Sequence, residues 1–256
     1  MKILILGGYG VFGGRLAELL CDLPQLDIMI AGRNEAKAAA FCNQIENAVV
    51  YLRPLKLDRI DIAKALQSTK PDLVVDASGP FQIYGDDPYL VLKACIASKT
   101  DYMDFADGAD FVFGVSKFDE DARKAGIYAL SGVSSFPVLT AAVLRELSSG
   151  MIVEHVRGGI APSPYAGIGL NVMRAVLSYA GGPVTLFRDG KKTEEKGLCE
   201  SMRYTVAPPG QLPLFNKRYS LVDVPDLQVI PPDYPNLQSI WMGAGPVPEF
   251  LHIALN

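Results

Sequence analysis

Seven residues near the start of the chain, Gly7-Gly8-Tyr9-Gly10-Val11-Phe12-Gly13, leave few architectures open to it. Ile3 to Leu6 reads as a short buried strand, and Phe12, Leu16, Leu19 and Leu20 recur at helical spacing immediately behind the glycines. Strand, glycine turn and helix inside one βαβ unit of about thirty residues is the context in which such glycines acquire a mechanical meaning. Gly8 gives the tight turn, Gly10 lets backbone approach a ligand, and Gly13 permits close packing of helix on sheet. The unpaired N–H groups that open the helix then face the turn and favour paired phosphates. The plain alternative is a glycine-rich connection that holds no ligand.

The alternation continues through the first half. Asp27 to Ala31, Val49 to Leu57, Leu73 to Asp76, Tyr102 to Phe105 and Ile127 to Leu130 read as strands. Glu35 to Ile45, Ile60 to Gln67, Asp87 to Ser98 and Ser116 to Ala125 read as the helices between them. Strands and helices in strict alternation predict an α/β class, with a Rossmann-type doubly wound parallel sheet. Beyond about Gly150 the texture changes, and half of the 18 prolines crowd after Ala207. The Val184 to Phe187 run, the Arg188-Asp189-Gly190-Lys191 turn, and alternation at Met202 to Val206 and Tyr219 to Val224 predict an antiparallel sheet in a second, α+β domain. The expected division is 1–130 for the dinucleotide-binding domain and 131–256 for a substrate and dimerisation domain, where an exposed antiparallel edge could pair two copies as a homodimer. Pro248, Glu249, Phe250, Leu251 and Leu255 read as the first turns of a helix that then stops, so this domain is expected to be truncated at its C-terminus.

Charge narrows the partners. A net charge of -4 without any Lys/Arg run argues against nucleic acid, which needs a clustered positive field. The apolar run before Gly7 is too short for a secretory signal, and the long uncharged stretch Gly126 to Leu144 is broken by Ser131, Gly132, Ser134, Ser135 and Pro137. A cytoplasmic chain with no membrane segment is expected. Cys21, Cys42, Cys95 and Cys199 are widely spaced without a C-x-x-C pair, and His155 and His252 are isolated, so no metal site is expected.

At the end of the second strand, folds selective for NAD place an acidic residue against the ribose 2′-hydroxyl. Here the residues are Ala31-Gly32-Arg33-Asn34, with no carboxylate to repel a 2′-phosphate and a guanidinium able to bond it in two places. NADP is therefore favoured over NAD, with Arg33 and Asn34 as contacts; the alternative for Arg33 is a solvated residue at a helix start. Asp58 is placed to touch adenine or to cap the following helix. Asp76-Ala77-Ser78-Gly79-Pro80-Phe81 comes at the carboxyl edge of the sheet after the fourth strand, where ligands of open α/β folds bind, and its backbone should face the nicotinamide half, with Ser78, Gly79, Pro80 and Phe81 as the contacts. Asp104, near the end of the fifth strand, is placed to project into the same crevice as an acid/base or substrate-orienting group, or else to act as a cap or ion-pair partner. Tyr89-x-x-x-Lys93 spells the tyrosine–lysine pair of short-chain dehydrogenases but lies on the helix after the fourth strand, not the fifth, and is set aside. Ser131 to Phe136 could line the nicotinamide pocket, with Ser134 or Ser135 as a simple helix cap ahead of Pro137 as the alternative. The stretch Gly158 to Gly169, carrying Ser163 and Tyr165, could close over a substrate or merely connect two elements.

Taken in order, Gly7 to Ala17, Ala31-Gly32-Arg33, Ser78-Gly79-Pro80-Phe81, Tyr84-Gly85, Ala94-Cys95 and Tyr102-Met103-Asp104 resemble the saccharopine dehydrogenase NADP-binding family over roughly residues 1 to 145. The resemblance implies a nicotinamide cofactor on a Rossmann domain, joined to an α+β substrate domain, and hydride transfer to or from a C=N or C=O group of a small molecule. In that family an aspartate of a Tyr-x-Asp segment lies near the substrate, which carries over to Asp104; Tyr84 is the second polar group expected at the reacting carbon. The arginines that clamp amino-acid carboxylates in saccharopine enzymes have no convincing counterpart here, which argues against saccharopine itself as substrate. A rival from another class, a sensor or scaffold that binds NADP(H) without chemistry, is favoured by the lack of a self-evident proton donor.

Overall fold

The structure, a computed structural model, describes residues 1–45, 49–161, 174, 175, 178 and 180–245. The chain divides into two compact units, Met1–Ser134 and Ser135–Asn256.

The first unit is built on strands β1 (Lys2–Leu6), β2 (Asp27–Gly32), β3 (Tyr51–Lys56), β4 (Leu73–Asp76), β5 (Asp101–Asp104) and β6 (Ala129–Leu130). All pair in parallel, in the order β3-β2-β1-β4-β5-β6, so the winding direction reverses between β1 and β4. The helices are α1 (Val11–Leu20), α2 (Glu35–Gln44), α3 (Ile62–Thr69), α4 (Leu90–Ser98), α5 (Ala109–Gly114) and α6 (Asp119–Ala125). The two-residue period of a strand sends alternate side chains to opposite faces. Ile3, Ile5, Ile28 and Ile30 accordingly join Ala17 of α1 and Ala38 of α2 in one core. Leu4, Leu6, Met29 and Val74 join Leu66 of α3 and Leu92 and Cys95 of α4 in the other. Near-continuous apolar strands are the expected cost of burying both faces of a parallel sheet. β3 forms one edge and carries Pro54, in register with Ile30 of β2.

Some boundaries differ from the sequence reading. The helix expected over Ser116 to Ala125 is a 3-10 turn at Val115–Phe118 followed by α6, and α5 before it was not anticipated. The last strand shrinks from Ile127–Leu130 to Ala129–Leu130. The third helix is preceded by a 3-10 turn, Arg59–Asp61, and its regular part begins only at Ile62.

In the second unit, β7 (His155–Ile160), β10 (Ser201–Val206), β11 (Leu214–Leu221) and β12 (Ser239–Ala244) form a sheet in the order β10-β11-β12-β7. β10, β11 and β12 are antiparallel, as expected, whereas β7 joins β12 in parallel. β8 (Pro183–Arg188) and β9 (Lys191–Lys196) make a hairpin whose turn residues Asp189 and Gly190 both take positive φ. Arg188 at its tip bonds Glu195 at 3.1 Å and Glu200 at 2.9 Å. The unit also holds helices α7 (Thr140–Leu147) and α8 (Asp226–Val229), a π-helical turn at Ser135–Leu139 and a 3-10 turn at Pro231–Asp233, over a core that includes Val184, Leu186, Leu221, Leu227, Ile240 and Trp241. Neither Ser134 nor Ser135 caps α7: its N-cap is Leu139 without a side-chain bond, and Ser135 contributes only its carbonyl, which accepts from the Thr140 hydroxyl at 3.1 Å. No helix among the described residues is long and apolar enough to cross a membrane.

Candidate functional site

The turn between β1 and α1 sits where the strand order reverses, the place at which open α/β sheets bind ligands. Gly7 takes φ +70°, and a Cβ on Gly13 would lie 2.4 Å from the carbonyl oxygen of Gly7. Any side chain there would push α1 off the turn. Gly10 precedes the helix in extended conformation; no side chain caps the helix start and its first turn holds no acidic residue. Val11 and Phe12 are exposed beside it. The leading N–H groups are thus left unblocked, the condition for receiving a phosphate.

Tyr9 leans over the end of β2. Its ring lies so near Gly32 that a Cβ there would meet the ring at 2.5 Å, and its hydroxyl accepts a bond from the Asn34 N–H at 3.1 Å. Asn34 in turn caps α2, its side-chain oxygen accepting from the Lys37 N–H at 3.0 Å. Arg33, between them, opens into a cleft of about 300 Å³ with Lys56, Leu57, Asp58 and Asp61. Asp58 takes the capping role, its carboxylate accepting from the Ile60 N–H at 3.3 Å, and it also lines this cleft.

After β4 the chain turns around Asp76, which is fully buried. Its carboxylate accepts from the Ser78 N–H at 3.1 Å, the Ser78 hydroxyl at 2.6 Å and the Tyr84 hydroxyl at 2.8 and 2.7 Å. Ser78 and Tyr84 hydroxyls also bond each other. Burial pushes the Asp76 carboxyl up, the hydrogen bonds and the Arg59 charge pull against it, and the net direction is upward. Burial and the adjoining carboxylate push the Tyr84 phenol far up, so it remains a donor. The Arg59 guanidinium lies over the Tyr84 ring, 3.9 Å from its centroid. Phe81 is turned inward onto Tyr84 and Phe111, with ring centroids 4.8 and 4.9 Å away. Of Ser78-Gly79-Pro80-Phe81, two side chains therefore hold the loop in place, Ser78 on Asp76 and Phe81 against Tyr84 and Phe111.

Asp104 does not stand in an open crevice. It is fully buried, and its Oδ1 accepts from the Gly132 N–H at 2.8 Å, the Ala106 N–H at 2.9 Å and the Ser131 hydroxyl at 3.0 Å. Oδ2 has no partner within bonding distance among the described residues; the Tyr102 side chain also lies near the carboxylate. Desolvation outweighs these donors and the carboxyl is raised. The carboxylate thus straps the end of β5 to the loop behind β6.

The set-aside pair is not a pair: Lys93 binds Asp87 at 2.9 Å, and the Tyr89 hydroxyl donates to the Phe111 carbonyl at 3.2 Å. His155 bonds Ser239 at 2.8 Å. Cys21 and Cys95 are buried, Cys42 half-buried and Cys199 exposed, all as free thiols, and no cluster of metal-binding side chains occurs among the described residues. His252, the helix expected at Pro248 to Leu255 and the part of the Gly158 to Gly169 stretch beyond Ala161 lie outside the described residues. Sequence reading gave Asp76, Arg59 and Lys56 no role of their own; an acid closing the otherwise apolar strand Leu73-Val74-Val75 was the available signal for the first.

Among solved structures, the chain is similar to the L-Glu-forming saccharopine dehydrogenase of Saccharomyces cerevisiae, at 18% identity and a TM-score of 0.69. The similarity covers 97% of this chain and 56% of that enzyme, so the chain spans little more than half the enzyme's length. More distant likenesses include a biliverdin reductase of Synechocystis in complex with biliverdin and NADP+ (15% identity, TM-score 0.46, covering 96% of this chain and 72% of that one). A putative oxidoreductase of Klebsiella pneumoniae stands at 13% identity and a TM-score of 0.47, covering 96% and 62%. A comparison with curated proteins finds no match. The model of the saccharopine dehydrogenase NADP-binding domain matches residues 3–130, the span that holds the glycine turn, the Arg33 cleft and the Asp76 loop; the chain belongs to that family, and its first unit is an NADP-binding domain.

Proposed function

We propose that this protein is an NADP(H)-dependent oxidoreductase that transfers a hydride to or from a C=N or C=O group of a small molecule. The observation that carries the reading is the unblocked start of α1 at the reversal of strand order, in a chain of an NADP-binding family. The residues fit the dinucleotide: a turn that tolerates no Cβ at Gly13, free helix N–H groups for the pyrophosphate, and cations in the cleft beside β2. Gly8, Tyr9, Gly10, Val11, Phe12 and Gly13 would hold the phosphates, Arg33, Asn34 and Asp58 the adenosine end, and the backbone of Ser78 to Phe81 the nicotinamide end. When bound, the cofactor supplies a hydride donor or acceptor at C4 of its ring; the protein supplies orientation and a dry wall.

Within this reading Tyr84 and Asp104 are positioning residues. Tyr84 fixes the loop after β4 by bonding Asp76, and Asp104 fixes the loop after β6 through Gly132 and Ser131. A second reading, an NADP(H)-binding sensor or scaffold without chemistry, is favoured by the same observation, because both polar groups are engaged inside the protein. NADPH oxidation with a panel of imines and carbonyl compounds separates the two. Turnover with one class supports the enzyme, and tight NADPH binding without turnover of any panel member supports the sensor.

A further inference from the structure

Lys56 ends β3 in register with Gly32, the last residue of β2, and the Leu57 N–H donates to the Gly32 carbonyl at 2.9 Å. That pairing brings the end of β3 beside the residue from which Arg33 departs. Lys56 and Arg33 are both exposed, both line the cleft of about 300 Å³, and neither has a hydrogen-bond or ion-pair partner among the described residues. The carboxylates sharing the cleft are partly engaged elsewhere: Asp58 accepts the Ile60 N–H, and Asp61 stands 4.0 Å from Lys64. Arg33 and Lys56 are the side chains of this cleft that can donate to an anion, and they differ in kind. Arg33 offers a planar fork, whereas Lys56 is a point charge with rotatable donors.

We propose that Lys56 is a specificity-determining residue that shares the 2′-phosphate of NADP(H) with Arg33. The proposal rests on the reading of this cleft as the adenosine end of the dinucleotide site. A phosphate monoester carries a charge of about −1.5 to −2 at neutral pH, more than one guanidinium neutralises. A second cation therefore adds to affinity for the phosphorylated ribose and nothing for the unphosphorylated one.

The test is calorimetric titration of the full chain with adenosine 2′,5′-bisphosphate and with 5′-AMP, in the parent, Lys56→Met and Lys56→Arg. Both probes lack the nicotinamide, so the outcome is independent of catalysis. Lys56→Met is expected to weaken the bisphosphate roughly tenfold, the size of one charge-assisted hydrogen bond, and to shift 5′-AMP by less than about twofold. Lys56→Arg should restore most of the loss. Because Lys56 is exposed the variants should fold, and retained 5′-AMP binding reports an intact groove. Equal loss for both probes, unchanged bisphosphate affinity in Lys56→Met, or a parent that does not distinguish the probes would overturn the proposal. A protein that keeps the Lys56-dependent preference and turns over no substrate would refute the enzymatic reading while leaving this inference in place.

Discussion

The Tyr84 hydroxyl stands within 2.8 Å of both carboxylate oxygens of Asp76, a buried acid that also gathers the N–H and hydroxyl of Ser78. One phenol thus anchors the loop after β4 to the strand it leaves. Removing it as Tyr84→Phe keeps the ring against Phe81 and Arg59 but takes a donor from a desolvated carboxylate. The expected cost is about 1–3 kcal/mol, read by urea denaturation. An unchanged midpoint would show that the bond contributes nothing to the fold.

Gly13→Ala puts a methyl 2.4 Å from the Gly7 carbonyl oxygen, and backbone has to move to admit it. NADP+ affinity should fall roughly tenfold or more for a displacement that misaligns the helix N–H groups, about 1.4 kcal/mol or above. Titration of the variant checks this. Parent-like affinity would mean that the start of α1 is not where the phosphates bind.

Arg33→Ala should lower affinity for NADP+ about tenfold and leave NAD+ nearly unaffected, since only the former carries the group that needs the fork. Equal affinities of the parent for the two cofactors would remove the basis for this prediction.

Asp226, the first residue of α8, is fully buried with neither carboxylate oxygen within bonding distance of a partner among the described residues; burial, opposed by the nearby Thr140 side chain, raises it to about 6. A raised carboxyl is held protonated in the folded state at a pH where the unfolded chain has already ionised. Stability from this group is therefore intact below about pH 4 and falls as pH rises towards about 6, by roughly 2–3 kcal/mol at most. Asp226→Asn should flatten that slope and gain on the parent above pH 6. Denaturation midpoints at several pH values between 4 and 7 measure it, and parallel profiles for the two proteins would sink the assignment.

The parallel sheet was legible because β1, β2 and β4 are apolar on both faces and punctuated by glycine or an acid, a pattern little else produces. The glycine turn was legible for the same local reason. α5 escaped because Ala109-Asp110-Phe111-Val112-Phe113-Gly114 is too short to display a period. The parallel union of β7 with β12 escaped because it joins segments some eighty residues apart, and pairing direction leaves no local mark. In the site, Arg33 could be found by its offset from the glycines. Lys56 read as one more residue of a strand, and only the register of β3 on β2 brings it beside Arg33's neighbour. Asp104 was found by position but given an outward role, because a sequence does not reveal that Gly132 and Ser131 return to claim its oxygen.

Pro54 has a consequence for how copies of this chain can meet. The Leu57 N–H points to β2, so by the alternation of a strand the N–H side of position 54 points outward, where proline has no hydrogen to give. A foreign strand laid along this margin would lose a rung at the centre of its ladder. Lengthening of the sheet across β3 is thereby disfavoured, which leaves β6 as the sheet's other margin.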